Sequence, residues 1–348
     1  PPRIGASPRI CPEPLRNWIL NKRIAVVLRA DHKIGTGHLM RVNALLPALA
    51  DAGYKFLLFC DSFDDRLQYA CKGYEDLIKN PDLNALPALI NAAKPALTLF
   101  DHYFLSADIE KNVRGLKAVI DDLKRSHVCD LLTDSVFFRR NDDYADLVPS
   151  GCKLLTGEKY SLIRREFIGL KHTENLRSRV LINYGGSDPA HACLTAVRSV
   201  LAASLQHEFD FTLLTGAANE DHEVLCSLLR GIDEFEIIRS TPHMGALFRR
   251  CDLAMGAYGG SFKERMCATL PSLCTVIADN QQDGPRIMKR LKAGLDMSLS
   301  ELSNPLTLKA RLHDLYAQKD FFIAKGLAAV DGRGLARVGN ALLELLHT

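Results

Sequence analysis

The sequence predicts an α/β protein of two Rossmann-like domains whose parallel sheets face a central cleft, and three observations carry that expectation. The chain has 348 residues, more than one hydrophobic core usually organises, so two domains of roughly 150 residues each are the starting point. Short apolar runs alternate with helical patterns, the mark of βαβ units and parallel strands. That alternation pauses in a charged stretch and then restarts, which sets two α/β halves in succession.

Residues 1–22 read as an N-terminal extension containing Pro and Arg; beginning at Pro1 rather than Met, it fits a processed end, an artificial boundary or a piece cut from a longer protein. Residues 23–157 make the first predicted domain, with strands IAVVLRA from Ile24, YKFLLFCD from Tyr54, ALTLFDH from Ala96, LKAVIDD from Leu116 and VCDLLTD from Val128. Between the first two strands Leu39, Val42, Leu45, Leu46 and Leu49 fall at helical spacing, and Gly53 marks the end. Pro47 inside that pattern predicts a kinked or shortened helix. Residues 158–178, charged and without strand periodicity, form the interdomain connection. Residues 179–348 make the second domain, with strands RVLINYGG from Arg179, FDFTLLTG from Phe209, EFEIIRS from Glu234, CDLAMGAYGG from Cys251 and SLCTVIAD from Ser272, then terminal helices. Open parallel sheets bind ligands beyond the carboxyl ends of their strands, so the two halves predict a ligand crevice between them.

Composition narrows the partners. A formal charge of +3 is too small for a chain of this size to imply nucleic acid and no run of five or six like charges makes a basic arm, so no nucleic-acid partner is expected and any bound anion is expected to be small. No apolar segment approaches the roughly 18 residues of a membrane span, which predicts no membrane insertion. The ten cysteines contain no CxxC pair and sit mostly in apolar runs, as reduced thiols of a cytoplasmic protein do.

Three strand ends carry glycine clusters: Gly35-Thr36-Gly37, Gly185-Gly186-Ser187 and Gly259-Gly260-Ser261. Each precedes a helical pattern, where backbone N–H groups can hold a phosphate oxygen or where glycine simply permits a tight turn; three together favour a phosphorylated ligand. Met40 stands where GxGxxG needs its third glycine and GxxxxGK[ST] is absent, so dehydrogenase and P-loop ATPase fall behind a nucleotide-sugar site. His38, at the mouth of the first loop, is suited to proton removal near neutrality or to a local structural hydrogen bond. Asp31 is placed to orient His38 or to cap the turn, and Arg41, one helical turn on, to reach the ligand or to pair at the surface.

Tyr103, after Asp101-His102, offers a hydroxyl and a stacking face, or rim packing. Asp121-Asp122 lacks His or Cys partners at ligand spacing and reads as turn and cap residues, so no metal is expected. In the second half Glu264, on the first turn after a glycine loop, can accept from ribose hydroxyls or favour the helix N-terminus. Asn280 and Gln281 follow a strand with hydrogen-bonding groups suited to a sugar or to a plain turn.

In order along the chain, RADHKIGTGHLMR, DHY, VIDD, LLTGEKYSLIRREF, LINYGGSDP and GGSFKERMCATLPSLCTVIADNQ resemble the UDP-2,4-diacetamido-2,4,6-trideoxy-β-L-altropyranose hydrolases of pseudaminic acid biosynthesis. The resemblance implies a GT-B-like fold related to inverting glycosyltransferases and an enzyme that hydrolyses a UDP-sugar to free sugar and UDP, without metal or other cofactor. It places the catalytic histidine on His38, the active-site tyrosine and asparagine on Tyr103 and Asn280, and the uridine and diphosphate contacts around Gly259 to Glu264. Phe262-Lys263 depart from the family's small-residue and tryptophan pattern before the glutamate, and Val42-Asn43 replaces a Cys-Leu pair. The N-terminal extension leaves room for fusion to, or association with, another enzyme of the same sugar pathway. Two other readings stay open: a glycosyltransferase using the same donor, in which His38 activates an acceptor hydroxyl, and a non-catalytic nucleotide-sugar binding protein.

Overall fold

The computed structural model describes residues 22–31 and 37–348. They fall into two compact units, one running to Tyr160 and taking back Ala336–Thr348, the other Ser161–Leu335.

The first unit is built on a sheet of seven parallel strands: β1 Arg23–Ala30, β2 Lys55–Phe63, β3 Asp76–Lys79, β4 Leu97–Asp101, β5 Leu116–Ile120, β6 Leu131–Asp134 and β7 Lys153–Thr156. Their spatial order is β3-β2-β1-β4-β5-β6-β7. Ile24 to Leu28 are buried without interruption, as a strand covered on both faces requires, and Val26 lies between Leu58 of β2 and Leu99 of β4. Strand order reverses between β1 and β4, so the ends of those two strands define the crevice where an open α/β sheet takes its ligand.

Helix α1, Gly37–Asp51, links β1 to β2 and runs without interruption through Pro47, which corrects the expected shortening. Its buried stripe of Leu39, Val42, Leu45, Leu46 and Leu49 explains the difference. Each such side chain contributes about 1.5–3 kcal/mol on burial, against about 3 kcal/mol for an interior proline. Shorter helices α2 Leu86–Ala93 and α3 Ala107–Asn112 flank β4 in sequence.

The second unit repeats the plan with β8 Arg179–Asn183, β9 Asp210–Leu214, β10 Phe235–Ile238, β11 Leu253–Ala257, β12 Ser272–Thr275 and β13 Gly294–Asp296, ordered β10-β9-β8-β11-β12-β13. Here the order reverses between β8 and β11. The helices are α4 Ala192–Ala202, α5 His222–Leu228, α6 Met244–Arg249, α7 Ser261–Cys267, α8 Gly284–Leu291, α9 Leu299–Leu302, α10 Pro305–Ala317 and α11 Lys319–Ala329, while α12, Gly334–Leu346, belongs from Ala336 on to the first unit. The core gathers Val180, Ile182, Phe211, Leu213, Leu253 and Met255 from the strands with Val197, Leu308 and Leu312 from the helices.

The second unit is shorter than the expected domain of residues 179–348 at its C-terminal end, because Ala336 onward packs with the first unit. There Arg337 Nη1 donates to the Lys159 carbonyl at 2.8 Å and Lys153 pairs with Glu344 at 2.6 Å. No described helix is long and apolar enough to cross a membrane.

The turn after β8 depends on a glycine far away in sequence. Gly216, at φ +100°, lies so close that a Cβ there would sit 2.4 Å from the Gly186 carbonyl oxygen and 2.5 Å from that of Gly185. Gly216→Ala should therefore lower the urea unfolding free energy by at least about 1–3 kcal/mol through backbone strain alone. A loss below about 0.5 kcal/mol would contradict this account of the turn.

Candidate functional site

The first unit gathers the candidate side chains at the β1/β4 reversal. Asp101, the last residue of β4, is fully buried at 0% exposure. His38 and Arg41, one turn apart near the start of α1, reach it together. His38 Nδ1 lies 2.5 Å from Asp101 Oδ1, Arg41 Nε donates to Oδ2 at 2.6 Å, and Arg41 Nη2 donates to Oδ1. Burial by itself would raise the Asp101 carboxyl, but the Arg41 charge and the hydrogen bonds from Arg41 and His38 hold it down at about 2. Burial likewise works against the Arg41 guanidinium, and Asp101 and Asp122 more than reverse it, leaving Arg41 raised.

A nitrogen that close to a carboxylate must carry the proton, so neutral His38 is the Nδ1–H tautomer and Nε2 keeps its lone pair. Among the described residues nothing hydrogen-bonds Nε2. Tyr103 packs edge-on against the imidazole, with centroids 4.4 Å apart at 78°, and its hydroxyl donates to Asp122 Oδ2 at 2.9 Å. Burial, then the Asp122 charge, raises the Tyr103 phenol. Arg41 Nη1 donates to the same Asp122 Oδ2 at 3.0 Å, while Asp122 Oδ1 is buried without a partner among the described residues.

His102 differs from His38 in having both ring nitrogens engaged. Its Nε2 faces Asp61 Oδ1 at 2.8 Å and its Nδ1 accepts from the Phe104 amide at 3.0 Å, so both nitrogens are occupied. Asp61 also takes two hydrogen bonds from Arg29 Nε, at 3.2 and 3.1 Å, and the Arg29 guanidinium stacks on Phe104. Burial opposes ionisation of Asp61, but His102 and Arg29 bring it down to about 2.

Several sequence expectations change here. The carboxylate partner of His38 is Asp101, 63 positions away, rather than Asp31. Asp31 follows the end of β1, and its charge contributes to raising Arg29, after Asp61. Asp121 is the turn residue expected, accepting from the Leu123 and Arg125 amides at 3.1 and 2.9 Å, but Asp122 joins the His38 cluster. Gly37 opens α1 at the surface; Gly35 and Thr36 lie outside the described residues. Behind Asp121, Tyr144 contacts both Asp121 and Asp134, at 2.7 and 2.8 Å, and His127 Nδ1 meets Glu110 at 2.7 Å.

In the second unit the two glycine turns differ. Gly185, Gly186 and Ser187 are exposed after β8, with Gly185 at φ +102°. The first amides of α4, those of Ala192 and Cys193, are taken by the Asp188 carboxylate at 3.0 and 2.7 Å. Gly259 and Gly260 follow β11 without positive φ, and a Cβ at Gly260 would meet nothing within 4 Å. Ser261 opens α7 and its Oγ accepts from Arg265 Nη1 at 2.9 Å. Glu264 is bound by Arg164 at 2.9 Å, an arginine of the connecting segment that also holds Glu166; burial raises its carboxyl against the pull of Arg164. Gln281 Oε1 accepts from the Ile277 amide at 3.2 Å, and its Nε2 would be 3.8 Å from a Cβ at Gly259. Asn280 is exposed on the short helical turn Asp279–Gln281. Among the described residues no group of three or more His, Cys, Asp or Glu is arranged for a metal ion.

No protein-family model matches the chain. It is 32% identical over 170 residues to the Campylobacter jejuni UDP-2,4-diacetamido-2,4,6-trideoxy-β-L-altropyranose hydrolase, covering 47% of this chain and 61% of that protein. It is 23% identical over 343 residues to the Bacillus subtilis spore coat polysaccharide biosynthesis protein SpsG, covering 92% of this chain and 98% of that one. An uncharacterised Methanocaldococcus jannaschii protein matches at 23% over 317 residues, 86% of this chain and 64% of its own length. The chain thus spans under two thirds of the Campylobacter and Methanocaldococcus proteins.

Among solved structures, Acinetobacter baumannii MurG superposes with a TM-score of 0.65 at 11% identity, covering 92% of this chain and 99% of its own. The kitacinnamycin glycosyltransferase gives 0.68 at 14%, covering 93% and 99%. Medicago truncatula UGT71G1, complexed with UDP-glucose, gives 0.64 at 12%, covering 95% and 100%. The fold is that of the GT-B glycosyltransferases, two Rossmann-like units on parallel sheets.

The buried His127 provides a pH signature for the first unit. Burial disfavours its charge, but Asp121 and Glu110 outweigh that and push it up to about 9. A raised folded-state value means the pairing stabilises fully below the ordinary imidazole range, about pH 6.5, and is lost as pH rises through about 9. Urea midpoints should fall over that window in the wild type and fall less in His127→Gln; equal falls in the two proteins would contradict the pairing.

Proposed function

We propose that the chain hydrolyses a UDP-linked diacetamido-trideoxy sugar to free sugar and UDP, with inversion at the anomeric carbon, as a step in nonulosonic acid biosynthesis. The observation that carries this reading is the state of His38: Nδ1 is committed to a buried carboxylate, and Nε2 is unengaged among the described residues. The Campylobacter relative, named as such a hydrolase, supports the substrate class, and the GT-B fold supports a nucleotide-sugar donor.

In the proposed reaction His38 Nε2 takes a proton from water as its oxygen attacks the anomeric carbon, while the bond from that carbon to the diphosphate oxygen breaks and its electron pair leaves with UDP. Asp101 holds the ring and stabilises the imidazolium that forms, the part a buried carboxylate plays in catalytic triads. Tyr103 and Arg41, fixed through Asp122, would contact the sugar. The second unit would bind uridine and diphosphate at Gly259, Gly260, Ser261 and Glu264, with Asn280 and Gln281 beside them. A diphosphate is a good leaving anion, so one base suffices without a general acid. The reading includes no metal or other cofactor and a cytoplasmic site of action.

A glycosyltransferase is the second reading, favoured by the solved structures, in which Nε2 would deprotonate an acceptor hydroxyl. UDP-linked diacetamido sugars incubated with and without acceptor separate the two: release of free sugar and UDP without acceptor supports hydrolysis, and NMR of the first-formed anomer reads inversion. His38→Ala should lower UDP release by about 10²–10⁴-fold and leave UDP affinity within a few fold. Wild-type turnover in that variant would sink the assignment.

A further inference from the structure

We propose that Arg265 is a positioning residue for a nucleoside diphosphate: its buried charge, held beneath the Gly259–Ser261 turn, is the fixed positive charge that attracts the phosphates there. The inference rests on the reading above, that this turn takes the diphosphate.

Arg265 leads the bulkiest fully buried side chains, at 2% exposure. Its hydrogen bonds go to Ser272 Oγ from Nε at 2.9 Å, to Ser261 Oγ from Nη1 at 2.9 Å, and to the Ala257 carbonyl from Nη2 at 2.7 Å, with Cys274 Sγ 3.5 Å from Nη2. Every acceptor is uncharged. Among the described residues no carboxylate pairs with it, and Glu264, its neighbour in the chain, is ion-paired to Arg164. The room it occupies is set aside by a glycine: a Cβ at Gly256 would lie 3.0 Å from Arg265 Nη1 and 2.5 Å from the Asn183 carbonyl. The guanidinium therefore sits at the ends of β11 and β8, where the strand order of the second sheet reverses.

A buried cation without a counter-charge is costly, and an apolar side chain of similar volume would fill the same space at lower cost. Shape alone does not account for an arginine here. What an apolar residue lacks is charge, and the turn above is held to that charge through Ser261 and Ala257 while Gly260 leaves the approach clear of side chains. A nucleoside diphosphate supplies the missing negative charge. Because the phosphates arrive at a cation already fixed by neutral hydrogen bonds, little reorganisation opposes binding.

Calorimetric titration with UDP and with uridine tests this, on the wild type and on Arg265→Met, Arg265→Gln and Arg265→Lys. Removing this buried charge beneath the turn should weaken UDP binding by about tenfold or more, with uridine affinity changed by less than about twofold and part of the UDP loss recovered in Arg265→Lys. Arg265→Gln, polar and neutral, carries the test if the methionine variant does not fold. Parallel losses of UDP and uridine in the neutral variants would make Arg265 a structural support only, and unchanged UDP affinity would remove its role; either overturns the inference and leaves the proposed reaction standing. A wild type that binds neither ligand overturns both.

Discussion

Asp101 is the constraint on which the candidate chemistry depends. One fully buried carboxylate at the end of β4 ties that strand to the start of α1 through His38 and Arg41. It carries its charge inside the protein because a guanidinium and an imidazole N–H meet it with good geometry; losing one partner of such a pair typically costs about 3–5 kcal/mol. In return it fixes a tautomer. Histidine without such a partner is free to exchange its proton between nitrogens, and a base needs the lone pair on a defined one.

The same sheet edge carries a second histidine–aspartate couple, and the difference between the two is hydrogen-bond accounting. His102 is saturated by Asp61 and by the Phe104 amide, so it braces Arg29 and the turn after β4. Arg125 braces that turn from the other side, donating to the carbonyls of His102, Tyr103 and Leu105 at 2.9, 2.7 and 3.1 Å. Tyr103 is thereby held at the imidazole by backbone clamps as well as by Asp122. Rigid support of this kind is what a side chain needs to act on a ligand at a defined distance.

Much of the fold was legible in the sequence because its central strands are long apolar runs: IAVVL of β1 and VLIN of β8 read directly as strands buried on both faces. DLIK of β3, KLLT of β7 and GLD of β13 carried too few residues for a pattern, and each lies at the edge of its sheet. Pro47 does not shorten its helix because local propensity loses to a buried leucine-rich stripe. Of the candidate site, His38, Arg41 and Tyr103 were legible from their loops, while Asp101 was hidden by distance along the chain and Asp31 drew attention by being near. The GGS sequences after β8 and β11 are alike on paper; only the packing shows that Asp188 takes the helix amides at the first and that Arg265 underlies the second. A buried arginine leaves no mark in a helical pattern.

The tautomer of His38 is the most direct test of the account. Long-range proton–nitrogen NMR at alkaline pH, with the His38 signals assigned by comparison with His38→Gln, reads which ring nitrogen carries the proton. The geometry at Asp101 requires Nδ1–H with an unprotonated Nε2. A neutral imidazole protonated at Nε2 would contradict it, since that ring would offer no lone pair to a water or hydroxyl and the carboxylate would have no proton to hold.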